Sequence, residues 1–407
     1  MEKIRIAYLI SQYPAISHTF ILREIIMLRH LGIDIQVASI NTPDRPLERL
    51  TAIEHQEVLH TFYVKSQGIL GALKAHLLTL STSPLAYLRG LSYALRLGKW
   101  DLKKILYGFF YFVEAIMVGR WMFQHRLNHL HIHFPTAAAS VGFIAHRIFP
   151  ITYSMSVHGP DEFYGVAHQY LPQKILAADF ICCISYFAQS QLMAWSPPQV
   201  WPRFEVVRLG VDPTLFAPRP FKESPSSVEI LCVGRLVPVK GQFILIQAIA
   251  ALIAQGRSLR LRLIGDGPDR AILEAEVAKQ NLTSHILFEG AINQDAILTF
   301  YQQADIFALV SFAEGIPVVL MEAMMMEIPC ISTHITGIPE LIQHGEEGLL
   351  VPPSDLNSLI EAITRLIDDS SLRRKLGQAG RQKVLQHYEL KRNTQQLADV
   401  FRRHLAP

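Results

Sequence analysis

The stretch DPTLFAPRPFKESPSS, Asp212–Ser227, holds four prolines and a polar cluster within 16 residues, and it divides the chain. Prolines spaced this way interrupt helical and strand periodicity alike, which suits a connection between domains. Directly after it stands VEILCVG, the first of a series of short, β-branched runs: LRLRLIG, HILFEG, ADIFALVS, IPCIS and GLLVPP, with amphipathic helical stretches between them. Beyond Pro353 the chain reads mostly as helix. Apolar runs alternating with helices are the pattern of a parallel sheet covered on both faces.

The same alternation precedes the stretch. IRIAYLI (Ile4–Ile10) reads as a buried strand, Ser17 as the cap of a helix from about His18 to Leu31 that Gly32 stops, and IDIQVASI as the next strand. HLHIHF (His129–Phe134), ITYSMSV (Ile151–Val157), DFICCIS (Asp179–Ser185) and FEVVRLG (Phe204–Gly210) continue it. The segment Phe62–Leu130 is long, helical and basic, with nine Lys or Arg against Asp101 and Glu114, and reads as an insertion. The expectation is an α/β chain of two doubly wound, Rossmann-like domains with a cleft between them. The first is residues 1–211 with the insertion at about 62–130, and 212–227 is the linker. The second is 228–387, and a terminal helix over 388–407 is free to cross back to the first.

At 407 residues, 50% hydrophobic and 18% charged, the chain has material for two cores and is not a disordered protein. Its net charge of +3 is concentrated in the basic segment, which points to an anionic partner there. No basic run is interleaved with nucleic-acid-type aromatic motifs, which argues against DNA or RNA. Cys182, Cys183, Cys232 and Cys330 sit in apolar runs without C-x-x-C spacing and read as buried reduced thiols, fitting a cytoplasmic protein. Ile4–Ile10 is too short for a signal peptide. The apolar run Ile105–Val118, broken by Glu114, falls short of the roughly 20 residues that span a bilayer. Flanked by Lys103, Lys104 and Arg120, this aromatic helix fits either packing on the first domain's sheet or a place on a membrane surface.

Four strand-end loops in the second half carry candidate chemistry, since ligands of doubly wound folds bind at strand C-termini. Gly234-Arg235-Leu-Val-Pro-Val-Lys240-Gly241 sets a guanidinium and an ammonium beside a helix start, which suits a diphosphate; a solvated surface pair is the plain alternative. Gly265-Asp266-Gly267-Pro268 is a tight turn and lacks a full dinucleotide pattern. In Glu314-Gly-Ile-Pro-Val-Val-Leu-Met-Glu322, Pro317 opens a helix, so the two carboxylates stand at most roughly 12 Å apart along its axis. Glu322 lies in an apolar helix and needs a partner, either a ligand diol or a protein donor. Thr336-Gly337-Ile338-Pro339-Glu340 follows the next strand. His131 and His133 alternate on one strand face, a spacing open to metal, but no third ligand is evident and a packed or acceptor-side role is the expectation.

In that order, GRLVPVKG, LIGDGP, FEGAI, ADIFALVSFAEGIPVVLMEAM, GIPELI and GLLVPP resemble the C-terminal half of family 4 glycosyltransferases of the GT-B fold. SQYPAISHTFILREI, HIHFP and SVHGPDEF are similar to bacterial exopolysaccharide glycosyltransferases of the colanic-acid type. Together these matches cover most of the chain outside the basic segment. The resemblance implies that Arg235 and Lys240 bind the donor diphosphate, that Glu314 contacts the donor sugar and Glu322 the ribose, and that Gly234, Gly265, Gly315 and Ile316 line the donor. It places His158 at the donor sugar and Ser17, His133 and Asp161 on the acceptor side; the family pattern has an acid where this chain has His18.

The implied activity is a retaining transfer of a hexose from a nucleotide-diphosphate sugar to a glycan or polyprenyl-diphosphate-linked acceptor in cell-surface polysaccharide synthesis. No D-x-D sequence is present, so no metal or other cofactor is expected; the site is expected in the cytoplasm, peripheral to the inner face of the membrane. Three alternatives stand beside this reading: a hydrolase or epimerase of the same fold, an inverting transferase with His158 or Asp161 as base, and a non-enzymatic two-domain sugar-binding protein.

Overall fold

The computed structural model describes residues 4–163 and 169–405, apart from the side chain of Asp161. The chain forms two compact units, one running to Val207 and resuming at Thr394, the other Arg208–Asn393.

The first unit holds β1 (Arg5–Gln12), β2 (Asp34–Asn41), β3 (Thr61–Tyr63), β4 (His129–His133), β5 (Thr152–Val157), β6 (Phe180–Cys183) and β7 (Phe204–Val206). They form one all-parallel sheet in the order β3-β2-β1-β4-β5-β6-β7. The two-residue period of a strand sorts the side chains. From β1, Ala7 and Leu9 enter the core under the helices Leu102–Gln124 and Ala137–Ile148. Ile6, Tyr8 and Ile10 enter the core on the opposite face, with the helix Thr19–His30 and, from the chain's last helix, Leu397, Ala398 and Phe401. That last helix, Leu390–Leu405, is tied down by Gln396 Nε2 to Val206 O at 3.1 Å and Arg402 to Leu31 O at 3.1 Å.

The segment expected as an insertion is more integral than its composition implies. It begins as the edge strand β3, and its Leu102–Gln124 helix leads into β4. Phe112, Ile116, Val118 and Met122 of that helix are core residues, whereas Leu102, Leu106, Phe109 and Phe110 are exposed. At 23 residues the helix outruns the apolar stretch read from sequence and is long and apolar enough to cross a membrane; half of its most apolar window is buried in the protein. Arg120 packs over the Phe123 ring rather than standing clear as a free cation. Ser17 is not a cap: it lies in the short 3-10 turn Ile16–His18, and His18 stands at the helix start without a side-chain capping bond.

The second unit holds β8 (Val228–Val233), β9 (Leu259–Ile264), β10 (Ile286–Gly290), β11 (Ile306–Leu309), β12 (Cys330–Thr333) and β13 (Leu349–Val351), all parallel, in the order β10-β9-β8-β11-β12-β13. Residues 212–227, read as a linker, pack into this unit. Phe216 is fully buried, edge-on to Tyr301 at 6.0 Å, and Arg219 is buried. Proline and polar content does mark irregular backbone here, but Phe216 anchors it.

Candidate active site

In the second unit the chain leaves β8 for β9 and β10 on one side of the sheet, then returns to β11 on the other. The loops after β8 and β11 therefore diverge at the carboxyl edge, the place where doubly wound sheets bind ligands. The loop after β8 turns through Pro238–Lys240 to Gly241, whose φ is +66°; a Cβ there would lie 2.3 Å from Val310 O. Only glycine both adopts this backbone and lets the start of helix Gln242–Ala254 approach β11 so closely. Gln242 Nε2 donates to Arg235 O at 2.8 Å and folds the loop over.

This brings Lys240 to Glu314, 74 residues away in sequence: Nζ donates to Oε1 at 2.5 Å. Ser311 Oγ donates to the same oxygen at 2.6 Å, and Thr336 Oγ1 donates to the Glu314 carbonyl. Glu314 is buried. One cation and one acid singled out from sequence thus grip each other. Arg235 is exposed and, among the described residues, makes no ion pair. Gly265 has φ +134°, and a Cβ there would stand 2.0 Å from Gly234 O, so the loops after β8 and β9 meet backbone to backbone.

Glu322 lies in the helix Val318–Met325, with Pro317 at its N-cap, and is 5% exposed. Tyr301, on the helix Ile297–Gln303, donates its hydroxyl to Glu322 Oε2 at 3.0 Å. Of the two partners left open by the sequence, the structure supplies the protein donor. Gly315 is half-buried, and the Ile316 side chain belongs to the core, so Ile316 has only backbone to offer a ligand.

In the first unit the strand order reverses between β1 and β4. Ser17 is exposed on the connection after β1. The register of β4 with β5 sets His129, His131 and His133 beside Thr152, Ser154 and Ser156. The histidines form a ladder. His129 Nδ1 meets Thr152 Oγ1 at 2.7 Å and Nε2 meets Ser154 Oγ at 2.6 Å; His131 Nδ1 meets Ser154 Oγ at 2.7 Å and Nε2 meets Ser156 Oγ at 2.9 Å. At its end, His133 Nδ1 lies 3.0 Å from His158 Nε2. Burial pulls His129 down to about 3 and His131 and His158 well below the usual histidine range, so these three rings are neutral. Lys174, also buried, donates to Pro135 O and Thr136 O at 2.8 Å and fixes the loop after β4. The Asp161 side chain lies outside the described residues.

Residues 217–383 match the family described as Glycosyl transferases group 1. Over 378 residues, 88% of this chain and 90% of the relative, the sequence is 26% identical to the putative colanic acid biosynthesis glycosyltransferase WcaL of Escherichia coli. It is 31% identical over 238 residues, 57% of this chain and 58% of the relative, to the amylovoran biosynthesis glycosyltransferase AmsK of Erwinia amylovora. This chain is a glycosyltransferase. Its fold is GT-B. It is similar in fold to Anabaena Alr3699/HepE, solved in complex with UDP and glucose, at TM-score 0.74 and 18% identity over 98% of this chain and 99% of that one. The sucrose-phosphate synthase of Thermosynechococcus elongatus gives TM-score 0.73 at 20% identity, covering 99% of each chain.

Several residues of the glycosyltransferase escaped the sequence reading. Ser311 holds Glu314 together with Thr336, whose loop was singled out but not its contact; Tyr301 holds Glu322, and His129 completes the ladder. A signal for the ladder exists: ITYSMSV carries hydroxyls at 152, 154 and 156 with the same two-residue period as the histidines of HLHIH. Among the described residues, no three His, Cys, Asp or Glu side chains group as a metal would require. The four cysteines are buried and unpaired to one another.

Proposed function

We propose that this glycosyltransferase moves a hexose from a nucleoside-diphosphate sugar to a glycan or polyprenyl-diphosphate-linked acceptor during cell-surface polysaccharide synthesis, with retention of configuration and without a metal. The observation that carries it is the Lys240–Glu314 pair at the sheet's switch point with Arg235 exposed on the same loop. An ammonium has three donors and Glu314 takes one, so the others are available to phosphate oxygens. Arg235 adds a bidentate grip. Charge growing on the departing diphosphate is met by these two cations, the part a divalent ion plays in metal-dependent transfer. Glu314 holds the sugar, and Glu322 the ribose diol. The acceptor hydroxyl attacks from the face the diphosphate leaves, and a donor phosphate oxygen takes its proton. The names of the colanic acid and amylovoran relatives and the UDP- and UDP-glucose-bound Anabaena structures support this reading.

A panel of UDP-, GDP- and ADP-sugars tests it: one is expected to raise the melting temperature at concentrations near its Kd, by mass action. With that donor, activity is expected to persist in excess chelator, and analysis of the product anomer to show retention. Activity lost in chelator and restored by a divalent ion refutes metal independence, and release of free sugar at the full rate without acceptor points to the hydrolase.

The lipid-linked acceptor draws on a second feature. Ile69 and Leu70 are 80% and 83% exposed, and Trp100 and Leu102 are 98% and 82% exposed, beside the exposed cations Lys74, Lys99 and Lys103. Exposed apolar groups among cations suit an anionic bilayer surface, where each cation contributes about 1 kcal/mol. The protein is expected to co-sediment with vesicles containing anionic lipid, and Trp100→Ser with Lys99→Glu and Lys103→Glu to abolish most of that binding. Equal recovery of both proteins with the vesicles removes the membrane from the proposal.

A further inference from the structure

We infer that Glu24 and His133 fix the ring tautomer of His158, so that His158 Nδ1 presents a lone pair to a hydroxyl of the sugar substrate; this rests on the transferase reading for the identity of the ligand. The three residues come from three elements: Glu24 from the helix Thr19–His30, His133 from the end of β4, and His158 from the residue after β5. His133 Nε2 lies 3.2 Å from Glu24 Oε1, in a contact bent off hydrogen-bond alignment. The carboxylate's charge, more than a short bond, therefore governs the proton there. Glu24 Oε1 also accepts from Tyr8 OH at 2.9 Å, and burial holds Tyr8 well above the usual phenol range, so Tyr8 stays a donor.

The proton positions follow from donor and acceptor counting. In the inferred arrangement Glu24 is the acceptor and His133 carries a single N–H, at Nε2, which leaves His133 Nδ1 an acceptor. The proton in the 3.0 Å contact between the rings then belongs to His158 Nε2. His158 is neutral, because its burial disfavours the cation. Its Nδ1 is thereby an acceptor, and that atom is buried with no hydrogen-bond partner among the described residues. A buried polar atom left unpaired costs about 1–3 kcal/mol, a penalty that a bound hydroxyl removes. The rest of the residue is held firmly. Its backbone N–H donates to Glu162 Oε2 at 2.8 Å, and the rings of Phe20 and Phe134 lie 5.1 and 4.6 Å from its own. The carboxylate–histidine order is the one by which proteins set an imidazole for ligand contact, extended here by one ring.

Glu24 and His133 are thus positioning residues, and the test reads the tautomer itself. In full-length protein labelled with 15N-histidine, His158→Asn assigns the His158 ring signals. They are expected to show protonated Nε2 and unprotonated Nδ1 without any ligand, and in Glu24→Gln that pattern is expected to reverse or average. If His133 is instead an imidazolium salted to Glu24, wild-type His158 shows protonated Nδ1, and the inference is overturned. With the donor found by thermal shift, Glu24→Gln is expected to lower kcat/KM about 10-fold, the worth of one hydrogen bond, with the melting temperature little changed. His158→Asn keeps an acceptor near the Nδ1 position, so adding Glu24→Gln to it is expected to have no further effect. Additive losses in the double variant mean Glu24 acts elsewhere. Should Glu24→Gln fold poorly, His133→Gln serves, with the same predicted loss in wild type and none in His158→Asn. Because the NMR arm needs no substrate, the tautomer claim is decided even if the protein proves to bind no nucleotide sugar.

Discussion

Lys240→Met is expected to lower kcat/KM by about 10²–10³-fold, the usual cost of removing one charged contact to a developing anion. The same change is expected to destabilise the second unit by about 3 kcal/mol, because Glu314 loses its cation while buried and keeps, among the described residues, the Ser311 hydroxyl. The two effects separate in a double variant. Lys240→Met with Glu314→Gln has no stranded charge, so denaturant titration is expected to recover most of the lost stability. Activity is expected to stay at or below that of Lys240→Met, since neither the proposed diphosphate contact nor the proposed sugar contact returns. If activity recovers together with stability, the pair is a structural clamp, and donor binding has to be sought away from the β8 and β11 loops.

The ion pair also says something about specificity. With Glu314 and Lys240 joined at 2.5 Å, a phosphate shares the ammonium with the carboxylate, taking the donors that Glu314 leaves open. In the proposed site an intact donor adds sugar hydroxyls to the Glu314 carboxylate, contacts that a diphosphate alone lacks. Nucleoside diphosphate alone is therefore expected to bind less favourably than the intact donor.

How much of this was legible in the sequence depends on the range of the interaction. Parallel strands buried on both faces have to be apolar throughout, so runs such as IRIAYLI and VEILCVG declared themselves. β3 did not: three residues at a sheet edge, Thr61–Tyr63, carry too short a pattern. The Leu102–Gln124 helix was set apart by its charge and aromatics, although half of its most apolar window is buried, because composition does not say which face is covered. Lys240 and Glu314 were each picked out by their strand-end loops. Their pairing follows only from β8 lying next to β11, a fact of strand order that one strand's residues do not encode. The histidine ladder lies between. Its period is visible in HLHIH and in ITYSMSV, but joining the two requires the β4–β5 register, and reaching Glu24 requires a helix from the far side of the sheet order.

Glu322 is where the reading of the donor site is most exposed, since Tyr301 already gives its carboxylate a protein partner. Glu322→Gln separates the two roles. A glutamine carbonyl still accepts from Tyr301, so stability is expected to fall by no more than about 1 kcal/mol. A ribose diol, in contrast, loses two bonds to a charged acceptor, which predicts a rise of about 10²-fold in KM for the donor with a much smaller change in kcat, the signature of lost uniform binding. Tyr301→Phe is expected to do the reverse. Removing the hydroxyl strips a buried carboxylate of a donor, costing about 2 kcal/mol of stability, while KM moves less than about 10-fold because the carboxylate remains. If Glu322→Gln leaves KM unchanged, Tyr301 is the partner that keeps an acid in this apolar helix, and the ribose is held by other residues.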